Sequence, residues 1–163
     1  MVKKNIDLEV KKISKDAVLP KYYLPSDVGL DLVCIENQSL FPLEQKRIRT
    51  GLIIKIPKGY VGLIRDRAGI VSKMNVHTAA GTFDPDYRGE LTVVLVNLGD
   101  VEVEIEKGMK IAQLLILPVE KVNVKQIETL DETPRGDKGF GSTGIKEDIE
   151  ELLKLEKNIY KEG

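Results

Sequence analysis

The sequence predicts an all-β fold, a sandwich or barrel of short strands, with one short helix and an amphipathic helix at its C-terminal end. Three observations predict it. Apolar residues alternate with polar ones at period 2, short runs of Ile, Val and Leu recur, and turn signals separate those runs. There is no βαβ rhythm and no internal repeat.

In chain order, Ile6, Leu8 and Val10 alternate with polar neighbours and read as a first strand. Leu32-Val33-Cys34-Ile35 reads as a buried strand, because a free cysteine behaves as a small hydrophobe. Leu52 to Ile56 and Tyr60 to Ile64 flank the turn Pro57-Lys58-Gly59. Asp66 to Asn75 holds the short helix, just after Arg65 ends a strand. The Gly, Asp and Pro of the segment Gly81 to Glu90 suit a hairpin turn entering a strand from Leu91 to Asn97. Leu98-Gly99-Asp100 separates that strand from Val101, Val103 and Ile105, and Lys107-Gly108 precedes the run from Ile111 to Leu117. Over residues 145–161, Ile149, Leu152, Leu153, Ile159 and Tyr160 recur at roughly helical spacing among Lys and Glu. That narrow apolar stripe is expected to pack on the protein's own assembly.

A chain of 163 residues suits one domain and can bury about 70% of the surface its unfolded form exposes. A net charge of −1 gives no field to attract nucleic acid or an anionic membrane, so neither is an expected partner. Any phosphate binding must come from a few placed residues. The single cysteine, Cys34, allows no intrachain disulfide, and no Cys/His cluster exists to hold zinc. Leu114 to Val119, the longest apolar run, is far short of a membrane span. The N-terminal residues lack the apolar core of a signal peptide, and a cytoplasmic location is expected.

Arg135-Gly136-Asp137-Lys138-Gly139-Phe140-Gly141-Ser142-Thr143-Gly144 combines an Arg, an aromatic ring and adjacent hydroxyls with glycines. Arg forks onto phosphate oxygens, glycines let backbone N–H groups approach an anion, and Phe140 offers a face for a base. The stretch suits a lid over a nucleotide, and it is not a Walker loop. In Gly81-Thr82-Phe83-Asp84-Pro85-Asp86-Tyr87-Arg88-Gly89-Glu90, two carboxylates flank a proline beside a tyrosine. Such a carboxylate can orient and deprotonate an attacking water, although a lone Asp-x-Asp is more often just solvated. Arg65-Asp66-Arg67-Ala68-Gly69 sets an Arg at the start of the expected helix, where free N–H groups favour anions. Gly29-Leu30-Asp31-Leu32 and the segment Gly108 to Leu114 are weaker signals, each readable as a turn feeding a strand.

These five segments, in this order from about Ser26 to Gly144, resemble the trimeric dUTPase family, within the superfamily of dUTPases and dCTP deaminases. The Gly-rich last motif is the most specific. The resemblance implies a jelly-roll-like β-barrel over 1–134, a nucleotide lid over 135–144 and a helical extension over 145–163. It further implies a homotrimer whose active sites are shared between chains. The implied reaction is Mg²⁺-dependent hydrolysis of dUTP at the α-phosphorus, giving dUMP and pyrophosphate. Asp84 matches the catalytic carboxylate that positions water, and Tyr87 the aromatic packed under the deoxyribose. Gly81, Thr82, Phe83 and the backbone near Thr78 match the hairpin that reads uracil. Arg67, Ala68, Gly69 and Gln113 match the phosphate contacts, and Asp31 the residue that holds Mg²⁺ through water. Arg135, Phe140, Gly141, Ser142 and Thr143 match the lid.

Several positions depart from the family pattern. Ala68 stands where a serine is usual, removing a hydrogen bond to a charged group of about 1.5–3 kcal/mol. Felt wholly in the transition state, that is roughly a tenfold to hundredfold loss of rate. Thr78 replaces a frequent Asn, Phe83 a usual Ile and Lys110 a usual Arg, and the extension after Gly144 is unusual. Hydrolysis of another deoxynucleotide therefore stays open, as does a weakly catalytic nucleotide-binding regulator. The deaminase alternative needs a Glu where this chain has Val94, which cannot act as acid or base. His77, the only histidine, is read as structural.

Overall fold

A computed structural model gives the fold and describes residues 6–138 together with Ile149 and Leu153. The chain divides into two compact units, Met1–Val122 and Asn123–Gly163. In the first, the strands are β1 (Glu9–Lys12), β2 (Leu30–Val33), β3 (Gln38–Leu40), β4 (Gln45–Arg49), β5 (Leu52–Lys55) and β6 (Tyr60–Arg65). Helix α1 (Ala68–Met74) follows, then β7 (Val76–Thr78), β8 (Thr82–Phe83), β9 (Thr92–Asn97), β10 (Val103–Ile105) and β11 (Lys110–Pro118). From Val119 to Lys138 there is neither strand nor helix. Ile149 and Leu153 are each helical and exposed, and the rest of the expected extension lies outside the described residues.

The strands pair antiparallel in four sheets, ordered β1-β5, β10-β3, β2-β11-β6-β8 and β4-β9-β7. None closes on itself among the described residues, so the expected barrel is realised as four short sheets around one core. Alternation decides which side chains enter that core. Along β9, Val93, Leu95 and Asn97 are buried while Thr92, Val94 and Val96 are only half-buried. Leu32, Leu40, Ile48, Leu52, Ile105 and Leu114 complete much of the packing. Asn97 and Thr50, polar residues inside, are paired. Asn97 Nδ2 donates to Leu40 O at 3.0 Å and Val101 O at 2.7 Å, and the Thr50 hydroxyl donates to Leu91 O.

Cys34 sits one residue past β2 but is still buried; its thiol donates to Glu106 O at 2.8 Å. Burial pushes that thiol above its ordinary pKa. The helix falls within the expected 66–75 and stops at Asn75, whose left-handed backbone lets its N–H bond back to Val71 O at 2.9 Å. β3 and β4 were not evident from apolar pattern, because Ile48 is the only buried residue of β4. Among the described residues no helix is long and apolar enough to cross a membrane.

Candidate active site

The edge of the β2-β11-β6 sheet builds one cleft, of about 760 Å³. Asp31 from β2, Arg67, Ala68 and Gly69 at the start of α1, and Lys110 and Gln113 from β11 line it. Pairing of β11 with both β2 and β6 sets Gln113 opposite Asp31 on one side and Arg65 on the other, which gathers residues far apart in sequence. Asp31 is 7% exposed and is gripped by two cations. Arg67 Nε lies 2.8 Å from its Oδ1 and Lys110 Nζ 2.8 Å from its Oδ2. The buried Oδ2 nevertheless receives no well-aligned hydrogen bond, so the ammonium touches it as a point charge. Arg67 also donates from Nη1 to Lys110 O at 3.2 Å, and Lys110 Nζ stands 4.6 Å from the Tyr23 ring centroid. Both cations are thereby oriented before any ligand arrives.

Asp66, between the two arginines, ties this cleft to β7. Its Oδ1 accepts from both the amide and the hydroxyl of Thr78 at 2.6 Å, and its Oδ2 meets His77 Nδ1 at 3.0 Å. Its main-chain oxygen accepts from Gln113 Nε2 at 2.8 Å. Partial burial pushes the Asp66 carboxyl up, but the Thr78 bonds and His77 outweigh it and hold the group below the usual carboxylate range. His77 is thus a structural partner. Thr78, expected near the base, has its amide and hydroxyl directed to Asp66 and lines neither of the clefts described here.

A second cleft, of about 280 Å³, holds the other group of candidates: Gly81, Thr82, Phe83, Asp84 and Tyr87, beside Arg47 and Val94. The hairpin before it is tight. Ala80 has φ 78°, an uncommon conformation for a residue with a side chain, and Ile64 N–H donates to Gly81 O at 2.8 Å. A Cβ on Gly81 would lie 2.9 Å from both Cβ and O of Ile64, so only glycine lets this strand approach β6 without displacement. Asp84-Pro85-Asp86-Tyr87 closes a turn through Tyr87 N–H to Asp84 O at 3.2 Å, with Pro in its favoured second place. Arg88 Nη1 donates to Pro85 O at 2.6 Å and steadies the turn. The exposed Asp84 is thus held at a fixed bend, beside Phe83 and Tyr87, whose rings meet edge to face at 5.6 Å.

Neither cleft contains the residues of the other. Arg135 belongs to the second unit, where it is exposed and its Nε donates to Lys138 O at 3.2 Å. Phe140, Gly141, Ser142 and Thr143 lie outside the described residues. Sequence reasoning missed Asp66 and Arg47. An acid between two arginines reads as a solvated charge, and its partners lie 11 and 12 residues away. Among the described residues no three His, Cys, Asp or Glu side chains cluster to hold a metal ion.

Comparison with known proteins adds a relationship to this geometry. A family model described as dUTPase matches residues 15–144. A deoxyuridine 5'-triphosphate nucleotidohydrolase of Hydrogenobaculum sp. is 47% identical over 142 residues, covering 85% of this chain and 99% of the relative. One of Clostridium kluyveri is 43% identical over 141 residues, with 85% and 99% covered. Among solved structures, a Staphylococcus bacteriophage 80alpha dUTPase variant with dUpNHpp superposes with a TM-score of 0.81 at 32% identity, covering 86% of this chain and 100% of that one. The dUTPase of phage phi11 of S. aureus, described with a structural Mg(II) ion, gives 0.71 at 29% identity, with 76% and 98% covered. Its sequence and its fold place the chain in the dUTPase family.

Proposed function

We propose that the protein is a homotrimeric dUTP diphosphatase that cleaves dUTP to dUMP and pyrophosphate at sites shared between chains. One observation carries the shared site: the motif residues of a single chain divide between a cation-bearing cleft and an aspartate-bearing cleft. A cyclic assembly that sets the first cleft of one chain against the second of its neighbour completes a site three times over. The relatives named for dUTP hydrolysis and the neighbour holding a dUTP analogue support the substrate.

In this reading Arg67, Lys110 and Gln113 take the triphosphate, with Arg67 and Lys110 held ready by Asp31. Asp84 orients a water for in-line attack on the α-phosphorus and accepts its proton, while the α–β bridging P–O bond breaks and pyrophosphate leaves with the electron pair. Tyr87 packs under the deoxyribose. With Thr78 committed to Asp66, uracil is read by the main chain of residues 79–82 rather than by the Thr78 side chain. Ala68 offers no hydroxyl, so the phosphates there depend on Arg67 and on main-chain N–H groups at the start of α1, which carries no side-chain cap. Arg135, Phe140, Gly141, Ser142 and Thr143 form the lid.

The donor set suits Mg²⁺ that arrives on its nucleotide, since no carboxylate cage is present among the described residues. Asp31 is the residue to hold it through water, and Lys110 Nζ, 2.8 Å from Oδ2, would have to yield that place to the hydrated ion. Bound there, the ion would neutralise phosphate charge. A deaminase is disfavoured because Val94, standing in the aspartate-bearing cleft where a deaminase needs its Glu, cannot shuttle a proton.

The test is pyrophosphate release from dUTP, dCTP, dTTP, dATP, dGTP and UTP, with Mg²⁺ and with chelator. Metal-dependent release confined to dUTP is the expected result, and release from a different nucleotide would move the substrate. Asp84→Asn should lower kcat by about 10²-fold or more and leave nucleotide binding nearly unchanged. Full activity in that variant would sink the mechanism, and binding without turnover in the unmodified protein would favour a regulator.

A further inference from the structure

The Tyr87 ring leans on a seat with three contacts. Its edge meets Phe83 at 5.6 Å between centroids, its hydroxyl donates to Glu90 O at 3.2 Å, and its outer end lies over Gly89. A Cβ built on Gly89 would overlap the Tyr87 hydroxyl, come to 2.5 Å from Cζ and reach 3.0 Å from Cε2. Real Cβ atoms do not approach so closely, so something must move.

The backbone below the ring is pinned. Glu90 Oε1 accepts from Gly51 N–H at 2.8 Å, and its Oε2 pairs with Arg49 Nε at 3.1 Å. One residue on, Leu91 N–H donates to Leu52 O at 2.7 Å, and the Thr50 hydroxyl donates to Leu91 O. The ring is the loose partner: Tyr87 is 45% exposed, and the overlap falls at the far end of its side chain. A methyl group at position 89 would therefore leave the strand in place and lift the ring off Phe83.

We infer that Gly89 is a specificity-determining residue, a bare patch of backbone that sets the height of the Tyr87 ring and so the discrimination between a deoxyribose and a ribose substrate. The inference rests on the assignment of Tyr87 to the sugar made above. Gly89 touches no substrate in this account; it acts through the ring as a positioning residue.

A double-mutant cycle tests it, with kcat/KM for dUTP and for UTP measured on the full chain, Gly89→Ala, Tyr87→Ala and the double variant. Gly89→Ala is expected to melt near the parent temperature and to lower the dUTP/UTP ratio about tenfold, whereas the same substitution in the Tyr87→Ala background should change the ratio no further. A parental ratio in Gly89→Ala beside a fallen ratio in Tyr87→Ala overturns the role of Gly89 alone. So does an additive effect in the double variant, and so does a Gly89→Ala chain that does not fold, because the ring and not the strand is held to yield. A parental ratio in Tyr87→Ala overturns the assignment of Tyr87 to the sugar, and the inference with it.

Discussion

Asp31 and Asp66 use their carboxylates in opposite ways. Asp31 faces two side-chain cations and orients them, whereas Asp66 collects an amide, a hydroxyl and an imidazole to bind β7 to the start of α1. The Asp66 contacts favour its charged form and depress its pKa, so their stabilisation is full above the unfolded-state value and fades as pH falls through the folded one. Asp66→Asn should be less stable by about 1 kcal/mol at neutral pH. In thermal melts that gap should close as pH falls through and below the ordinary carboxylate range, once the parent carboxylate protonates. A gap independent of pH would show that the charge of Asp66 contributes nothing. Asp84, Tyr87 and Arg67 stand out in the sequence as candidates because each belongs to a local motif. Asp66 does not, because its meaning depends on a strand that follows α1 in the chain.

Among the elements, the β6–β8 contact leaves little room for change. Gly81 meets the backbone of Ile64, which lies within β6, paired along its other edge with β11 and unable to retreat. Gly81→Ala should destabilise by about 1–3 kcal/mol through overpacking. For a domain of this size that lowers Tm by several degrees, about 2–4 °C per kcal/mol, which calorimetry would register. An unchanged Tm would mean that the hairpin can shift away from β6. Strand legibility followed burial pattern. β9 and β11 announce themselves by apolar alternation or runs, while β4, Gln45 to Arg49, is held by backbone pairing to β9 and by Ile48 alone. A strand exposed on one face and charged along it leaves little hydrophobic signal to read.

For the whole molecule, the proposed trimer would make activity a property of the assembly, because the two clefts of one chain are separate. Chains carrying Arg67→Ala and chains carrying Asp84→Asn should each be inactive alone. Random mixing into cyclic trimers pairs an intact first cleft with an intact second one at about a quarter of the sites. Refolding the two together should therefore recover activity toward that fraction of the parent, and no recovery would argue for sites complete within one chain. The single thiol gives the same molecule a practical property. Cys34 is buried, hydrogen-bonded to a main-chain oxygen and shifted away from its thiolate form, so it is a poor target for alkylation or oxidation. The native chain is consequently almost blank to thiol-directed dyes and spin labels, and a cysteine introduced at the exposed Arg135 or Asp137 would be the one position that a label reports.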